Sequence, residues 1–263
     1  MTEQTIETLS VNEWGEKIPS LKAPISKRII ICTPTTGLVR IEWVHARYHM
    51  TIPCNWSSAD IMQLMDNYAP LNFMVADARN ICVDLAVRHQ YQWLLFIDHD
   101  TCPPPDTMIK MNQYMLDGRV PVVGGLYRAK GYPPEPLVYR GRGNGYYKDW
   151  KPGDMVWVDG LPMGCTLINV GLLAAMHDAS PEYEVGGHKV RRVFHTPGEV
   201  GLDKDTGEWR TISGTEDLWW CTRVMQEGWL KKCGYDYVAD REFPFLIDTS
   251  IDCKHINPDG RVF

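Results

Sequence analysis

Apolar residues stand unbroken from Trp93 to Ile97, then give way to Asp98-His99-Asp100 and to Pro103-Pro104-Pro105. A short run with no polar residue alternating into it predicts a strand buried on both faces. Arg28 to Cys32 repeats the pattern and stops at Thr33-Pro34-Thr35-Thr36-Gly37, a turn sequence. Between them, Ile81, Leu85 and Ala86 follow Asp77 at helical spacing, predicting a helix over about Ala78 to Arg88 with Asp77 as its cap. Asp106 to Leu116 reads as a second helix and Val120 to Gly124 as a third strand. This alternation of strand and helix predicts a parallel, doubly wound sheet.

The second half is more mixed. Met155 to Val158 and Cys165 to Asn169 are strand candidates, Val170 to His177 a short helix, and residues 178 to 212 a hairpin or loop region rich in Gly, Pro and charge. Glu216 to Glu227 predicts a helix closed by Gly228. Residues 1 to 26 lack periodicity and read as an N-terminal arm, leaving 27–263 as one domain. That division suits a chain of 263 residues.

Composition narrows the class. With 44% apolar and 23% charged residues, the chain is globular, and its net charge of −6 argues against coating nucleic acid by bulk charge. Its apolar runs are too short to span a membrane, and its polar, acidic N-terminus does not read as a signal peptide. Eight cysteines without one C-x-x-C pair point to free thiols and a cytoplasmic protein, where the sequon Asn55-Trp56-Ser57 carries no meaning.

Three groups of residues offer chemistry. In extended backbone, residues i and i+2 point the same way, so Asp98 and Asp100 at a strand's carboxyl end are placed to face one divalent cation or a sugar hydroxyl. The competing reading is a turn that merely ends the strand. Glu216 and Asp217 open a helix. Ser213-x-x-Glu216 fits a capping box, whereas Asp217 is free to act as a general base, with a pKa that the helix dipole is expected to lower. His255, in Cys253-Lys254-His255, is an imidazole suited to join two carboxylates around an ion such as Mn²⁺.

Taken in order, these groups resemble a glycosyltransferase of the GT-A fold, similar to family 2 and its relatives. The resemblance runs over roughly residues 27 to 260: the strand Ile31-Cys32-Thr33-Pro34, the element Asp77-Ala78-Arg79-Asn80, the D-x-D in WLLFIDHD, the Glu-Asp pair in GTEDLWWC, and the late His255. It implies an α/β, Rossmann-like, mixed but mainly parallel sheet flanked by helices. It implies a nucleoside-diphosphate sugar as donor, held by Thr33, Pro34, Thr35, Arg79 and Asp98, with Mn²⁺ or Mg²⁺ on Asp98, Asp100 and His255. Asp217, with Glu216 beside it, would be the base of an inverting transfer. The chain lacks the Q-x-x-R-W of processive synthases.

Residues 127 to 151 carry six basic residues (Arg128, Lys130, Arg140, Arg142, Lys148, Lys151) against Glu135 and Asp149, interleaved with aromatics. Such a mixture suits phosphates with stacked bases or sugar rings; a solvated loop with its aromatics folded onto the core is the competing reading. Small stand-alone enzymes of this kind also resemble phage glycosyltransferases that decorate hydroxymethylated DNA bases, which makes a DNA base, beside a glycan, a candidate acceptor. Gly124-Gly125 and Gly160 to Gly164 offer bare backbone to a sugar, or simply turns. Asp203 to Gly207 departs from a Ca²⁺ loop and reads as a hairpin turn, Gly141 to Gly145 is no dinucleotide fingerprint, and His45 and His49 share a helical face without a third ligand. Two other classes remain open: a metal-dependent nucleotidyltransferase, and a non-catalytic carbohydrate- or nucleic-acid-binding module on the same fold.

Overall fold

The computed structural model describes residues 10–11, 17–18, 29–52, 65–141, 145–202 and 209–263. The sequon, the Asp203 loop and Arg142 to Asn144 lie outside the described residues, as does most of the N-terminal arm, in which Ser10–Val11 (β1) pairs with Lys17–Ile18 (β2). Ile29–Cys32 (β3) is followed by Ile41–Tyr48 (α1), Met65–Tyr68 (β4), Val75–Arg88 (α2), Trp93–Ile97 (β5), the two-residue Thr101–Cys102 (β6), Thr107–Asp117 (α3) and Val122–Leu126 (β7). The two apolar runs read as buried strands, β3 and β5, are buried at every residue, as is β7, because helices cover both faces of the sheet.

The second half contributes Met155–Val158 (β8), Cys165–Asn169 (β9), Val170–Asp178 (α4), the hairpin Glu182–Val185 (β10) and His188–Arg191 (β11), and a second hairpin Gly198–Leu202 (β12) and Trp209–Ser213 (β13). Glu216–Gln226 (α5), the short Trp229–Lys232 (α6) and Asp236–Ala239 (α7), Phe245–Asp252 (β14) and Lys254–His255 (β15) complete the chain. Gly228, at φ 68°, takes the left-handed conformation that ends α5, as its position predicted.

Seven strands form the central sheet in the order β4-β3-β5-β9-β7-β14-β8. The alternation of strand and helix in the first half predicted a parallel sheet and the resemblance a mixed, mainly parallel one, and the sheet is of the second kind. β9 runs antiparallel to both β5 and β7, and β8 antiparallel to β14, while β3, β4, β5, β7 and β14 share one direction. The sheet is therefore mixed and mainly parallel. Asp77 departs from the predicted cap: α2 begins three residues earlier than predicted, behind Met74, and Asp77 lies inside its first turn.

The reversed β9 matters for the site, because its first residue, Cys165, pairs with Ile97 at the carboxyl end of β5. The loop before β9 is thereby brought beside Asp98, whose amide donates to the Gly164 carbonyl at 2.9 Å. Gly164 is not open to a sugar: a Cβ there would lie 2.5 Å from Tyr127 Oη and 2.8 Å from Thr101 Oγ1. Gly125 is closed in the same way, with Ile251 Cγ2 at 2.9 Å. Both glycines serve packing. Gly164→Ala is therefore expected to cost about 1–3 kcal/mol by overpacking. At ~2–4 °C per kcal/mol for a domain of this size, thermal unfolding should begin several degrees lower. A midpoint equal to that of the unsubstituted protein would show that the Tyr127 ring moves aside freely.

Candidate functional site

The carboxyl ends of β3, β4 and β5 meet at one edge of the sheet, where a mainly parallel α/β fold places its ligands. Thr33 and Pro34 leave β3 buried and Thr35 half-buried, stitched to the neighbouring strand by Thr33 N to Tyr68 O at 2.9 Å and Asn72 N to Thr35 O at 2.9 Å. A cavity of about 270 Å³ opens there, lined by Pro34, Thr35, Phe73, Val75, Asp98 and Asp100 among others.

Asp98 and Asp100 both border this cavity, yet they do not aim at one point as two alternate residues of a strand would. β5 stops at Ile97, and Thr101 N donates back to Asp98 O at 3.0 Å, so the segment turns. The Trp43 indole also donates to Asp98 O, at 2.8 Å. The two carboxylates then take different partners.

Asp98 is held by Arg79. The guanidinium, 2% exposed, donates from Nη1 to Asp98 Oδ1 at 3.1 Å and from Nη2 to Oδ2 at 2.9 Å, a bidentate pair. Its Nε donates to Glu216 Oε1 at 3.0 Å, and its plane lies over the Phe96 ring at 4.8 Å. Burial opposes the charge on Arg79, but Asp98 and Glu216 outweigh it and hold the group protonated. The flanking residues of the same helix bind elsewhere. Asp77 accepts from Tyr183 Oη at 2.7 Å, and Asn80 Oδ1 accepts the amides of Val193 at 3.0 Å and Phe194 at 2.7 Å. One turn of α2 thus fixes the strand end, the start of α5 and the segment after β11.

Glu216 is the first residue of α5 and not the third position of a capping box; Ser213 ends β13, and Thr215 stands at the cap without a side-chain capping bond. Its carboxylate is spent on Arg79. Asp217 behaves differently from the expectation drawn from the helix dipole. Burial, and then the negative charge of Glu216, push its carboxyl above the ordinary range, against the hydrogen bond from Leu218 N at 2.7 Å and the positive charge of Arg79. Tyr127 lies close to both sides of the site: burial first, then the charges of Asp98 and Asp217, push its phenol up, while Gly164 N donates to its oxygen at 2.8 Å.

Asp100 faces the C-terminal segment. Its Oδ2 receives the Lys130 ammonium and faces His255 Nε2 at 3.5 Å. Burial opposes ionisation, yet His255 and Lys130 win and hold the carboxyl far below the usual range. His255 Nδ1 donates to the Arg128 carbonyl at 2.7 Å, which turns Nε2 toward Asp100, the orientation a metal-ligating imidazole takes from its outer partner. No group of three or more His, Cys, Asp or Glu side chains among the described residues surrounds a single point. The pair Asp100 and His255 nevertheless fits Mg²⁺ or Mn²⁺ of the kind bound by one or two protein ligands and completed by substrate phosphates. Asp98, committed to Arg79 through both oxygens, fits less well as a direct ligand.

Trp43 had no assigned role in the sequence, and Lys130 entered only as one of the six basic residues of the 127–151 stretch suited to phosphates. Nothing singled Lys130 out within that stretch, and a lone Trp gives no signal at all. Much of that stretch is internally committed: Arg128 pairs with Asp252 at 2.8 Å, Lys130 with Asp100, and Arg140 lies over Tyr147 at 4.0 Å while donating to Trp157 O. His45 and His49 stack on each other at 6.0 Å.

No protein-family model and no curated protein matches the sequence. Among solved structures, the A197 protein from STIV superposes with a TM-score of 0.51 at 17% identity, over 90% of this chain and 93% of its own. S. aureus TarS 1–349 in complex with UDP-GlcNAc gives a TM-score of 0.35 at 12% identity, with 57% of this chain aligned to 47% of that one. The same TarS fragment in complex with UDP gives 0.33. This chain thus spans nearly all of A197 and about half of the TarS fragment. At these identities the likeness is one of fold, and only the A197 superposition is close enough to weigh. With the strand order and its reversed β9, it makes this chain a mixed α/β protein of GT-A-like architecture.

Proposed function

We propose that the protein is a metal-dependent glycosyltransferase that moves a sugar from a nucleoside-diphosphate sugar to an acceptor hydroxyl, with inversion at the anomeric carbon. The observation that carries this reading is the layout about Arg79. That residue joins the D-x-D turn to the helix bearing Asp217, with the Asp100–His255 pair on one side and a half-buried carboxyl of raised pKa on the other.

In this reading Thr33, Pro34 and Thr35 form the wall against the nucleotide, and Asp98, fixed by Arg79, accepts hydrogen bonds from the ribose. Asp100 and His255 hold the cation, which when bound neutralises charge on the departing diphosphate. Glu216 positions α5 through Arg79. Asp217 takes the proton of the acceptor hydroxyl from the side opposite the diphosphate, and a raised pKa makes it a stronger base for that step. The acceptor is proposed only as a hydroxyl, with hydroxymethylated DNA and glycans as the first to assay.

Calorimetric titration with UDP and GDP, with and without Mn²⁺, tests the reading. Binding of a nucleoside diphosphate that requires the cation is expected, and its absence for every nucleoside diphosphate would overturn the proposal. Product analysis separates the neighbouring classes. Transfer releases a nucleoside diphosphate, nucleotidyl transfer from a triphosphate releases pyrophosphate, and a binding module leaves the donor intact. Anomeric coupling constants of the product against the donor read the stereochemistry.

A further inference from the structure

The roles assigned above leave Lys130 idle, although its ammonium sits on the carboxylate proposed to hold the cation. Asp100 Oδ2 is shared between that ammonium and His255 Nε2. The loop carrying Lys130 is fastened at its root by Ala129 N to Glu135 O at 2.8 Å and Leu137 N to Tyr127 O at 3.0 Å. Residues of the same loop grip the imidazole: the Tyr127 ring meets it edge-on at 5.3 Å, and the Arg128 carbonyl accepts from its Nδ1 at 2.7 Å. The backbone is therefore fixed, and what remains free to swing is the four-carbon Lys130 stem, 26% exposed at the mouth of a 460 Å³ cavity that Asp100 and His99 also line.

We propose that Lys130 is a phosphate-binding residue that doubles as the resident counter-ion of Asp100. In the donor-free protein its ammonium occupies the carboxylate; when a divalent cation and the donor's diphosphate arrive, it leaves Asp100 and pairs with phosphate oxygens. An ammonium and a divalent cation repel each other when crowded onto one carboxylate oxygen. A lysine, with a flexible stem and three rotatable donors, can exchange partners where the fixed fork of an arginine cannot. The exchange makes cation and diphosphate bind cooperatively, since each relieves a cost the other would meet alone, and that coupling is reciprocal.

This inference rests on the donor reading, and the test separates the two. Lys130→Met is compared with the unsubstituted protein in two titrations: Mn²⁺ alone, followed by the paramagnetic resonance of free Mn²⁺, and UDP or GDP by calorimetry at saturating Mn²⁺. A charged hydrogen bond is worth about tenfold or more in affinity. Mn²⁺ alone should therefore bind the variant about tenfold more tightly, and the nucleoside diphosphate about tenfold more weakly. Opposite signs are the signature, because a merely structural role would weaken both. Mn²⁺ affinity that is unchanged or lower in the variant, or diphosphate affinity that is unchanged, overturns the exchange while leaving the donor reading intact. If no nucleoside diphosphate binds the unsubstituted protein, the donor reading and the phosphate-binding role fall together, and the Mn²⁺ titration still shows whether Lys130 competes for Asp100.

Discussion

Arg79→Met is expected to destabilise the protein by about 3–5 kcal/mol, the usual result of removing one partner from a buried ion pair. The loss does not come from the interaction energy of Arg79 itself. It comes from what is left behind: Glu216, 7% exposed, and the Asp98 carboxylate, both deprived of their only cation in hydrogen-bond contact among the described residues. The methionine fills much of the same volume over Phe96, so cavity formation adds little. Urea unfolding followed by circular dichroism reads the effect. A second variant identifies its cause: Arg79→Met with Glu216→Gln removes the stranded charge and should recover part of the loss. A single variant within about 1 kcal/mol of the unsubstituted protein would mean that the two carboxylates find water, and that the site is softer than its packing indicates.

Asp217→Asn is expected to keep donor and cation binding but lose transfer by roughly two to four orders of magnitude, the range usual for a general base. The same variant has a stability signature. Because folding raises the Asp217 pKa, its contribution favours the fold below the unfolded value of about 3.9 and is lost as pH rises through the folded value. Asparagine does not titrate. At neutral pH the variant should therefore melt above the unsubstituted protein, and the difference should close as the solution is acidified toward the ordinary carboxylate range. Transfer retained within tenfold would remove Asp217 from the role of base, and a melting difference independent of pH would show that folding does not raise its pKa.

Several strands of the central sheet were legible because each is a short, largely apolar run. Trp93 to Ile97, Met155 to Val158 and Cys165 to Asn169 are found where their residues placed them. Their direction was not legible, since a strand buried on both faces looks the same read either way; the resemblance implied a mixed sheet, but nothing in the residues marked β9 as the reversed strand. α1 entered only as the helical face shared by His45 and His49, and its extent was not read, because none of its residues is buried and it shows no apolar stripe. β4, Met-Asp-Asn-Tyr, is half-buried and polar. In the site, the sequence supplied the residues but not their pairing. Arg79 meets Asp98 and Glu216 across 19 and 137 positions, and no spacing rule reaches that far. The raised Asp217 pKa follows from burial and a neighbouring charge, quantities that the helix-dipole argument did not contain.

Asn80 has a consequence beyond the site. It receives the amides of Val193 and Phe194 and donates back to the Phe194 carbonyl at 2.9 Å, clamping the chain just before the β12–β13 hairpin. Downstream of that clamp, the path returns to fixed ground at Gly214, whose amide donates to Pro197 O at 3.3 Å, one residue before Thr215 leads into α5. The chain thus leaves fixed ground at Pro197 and regains it at Gly214, two points joined by a single hydrogen bond, so the start of α5 and the carboxylates it carries are anchored to the clamped segment by a contact that does not depend on how many residues lie between.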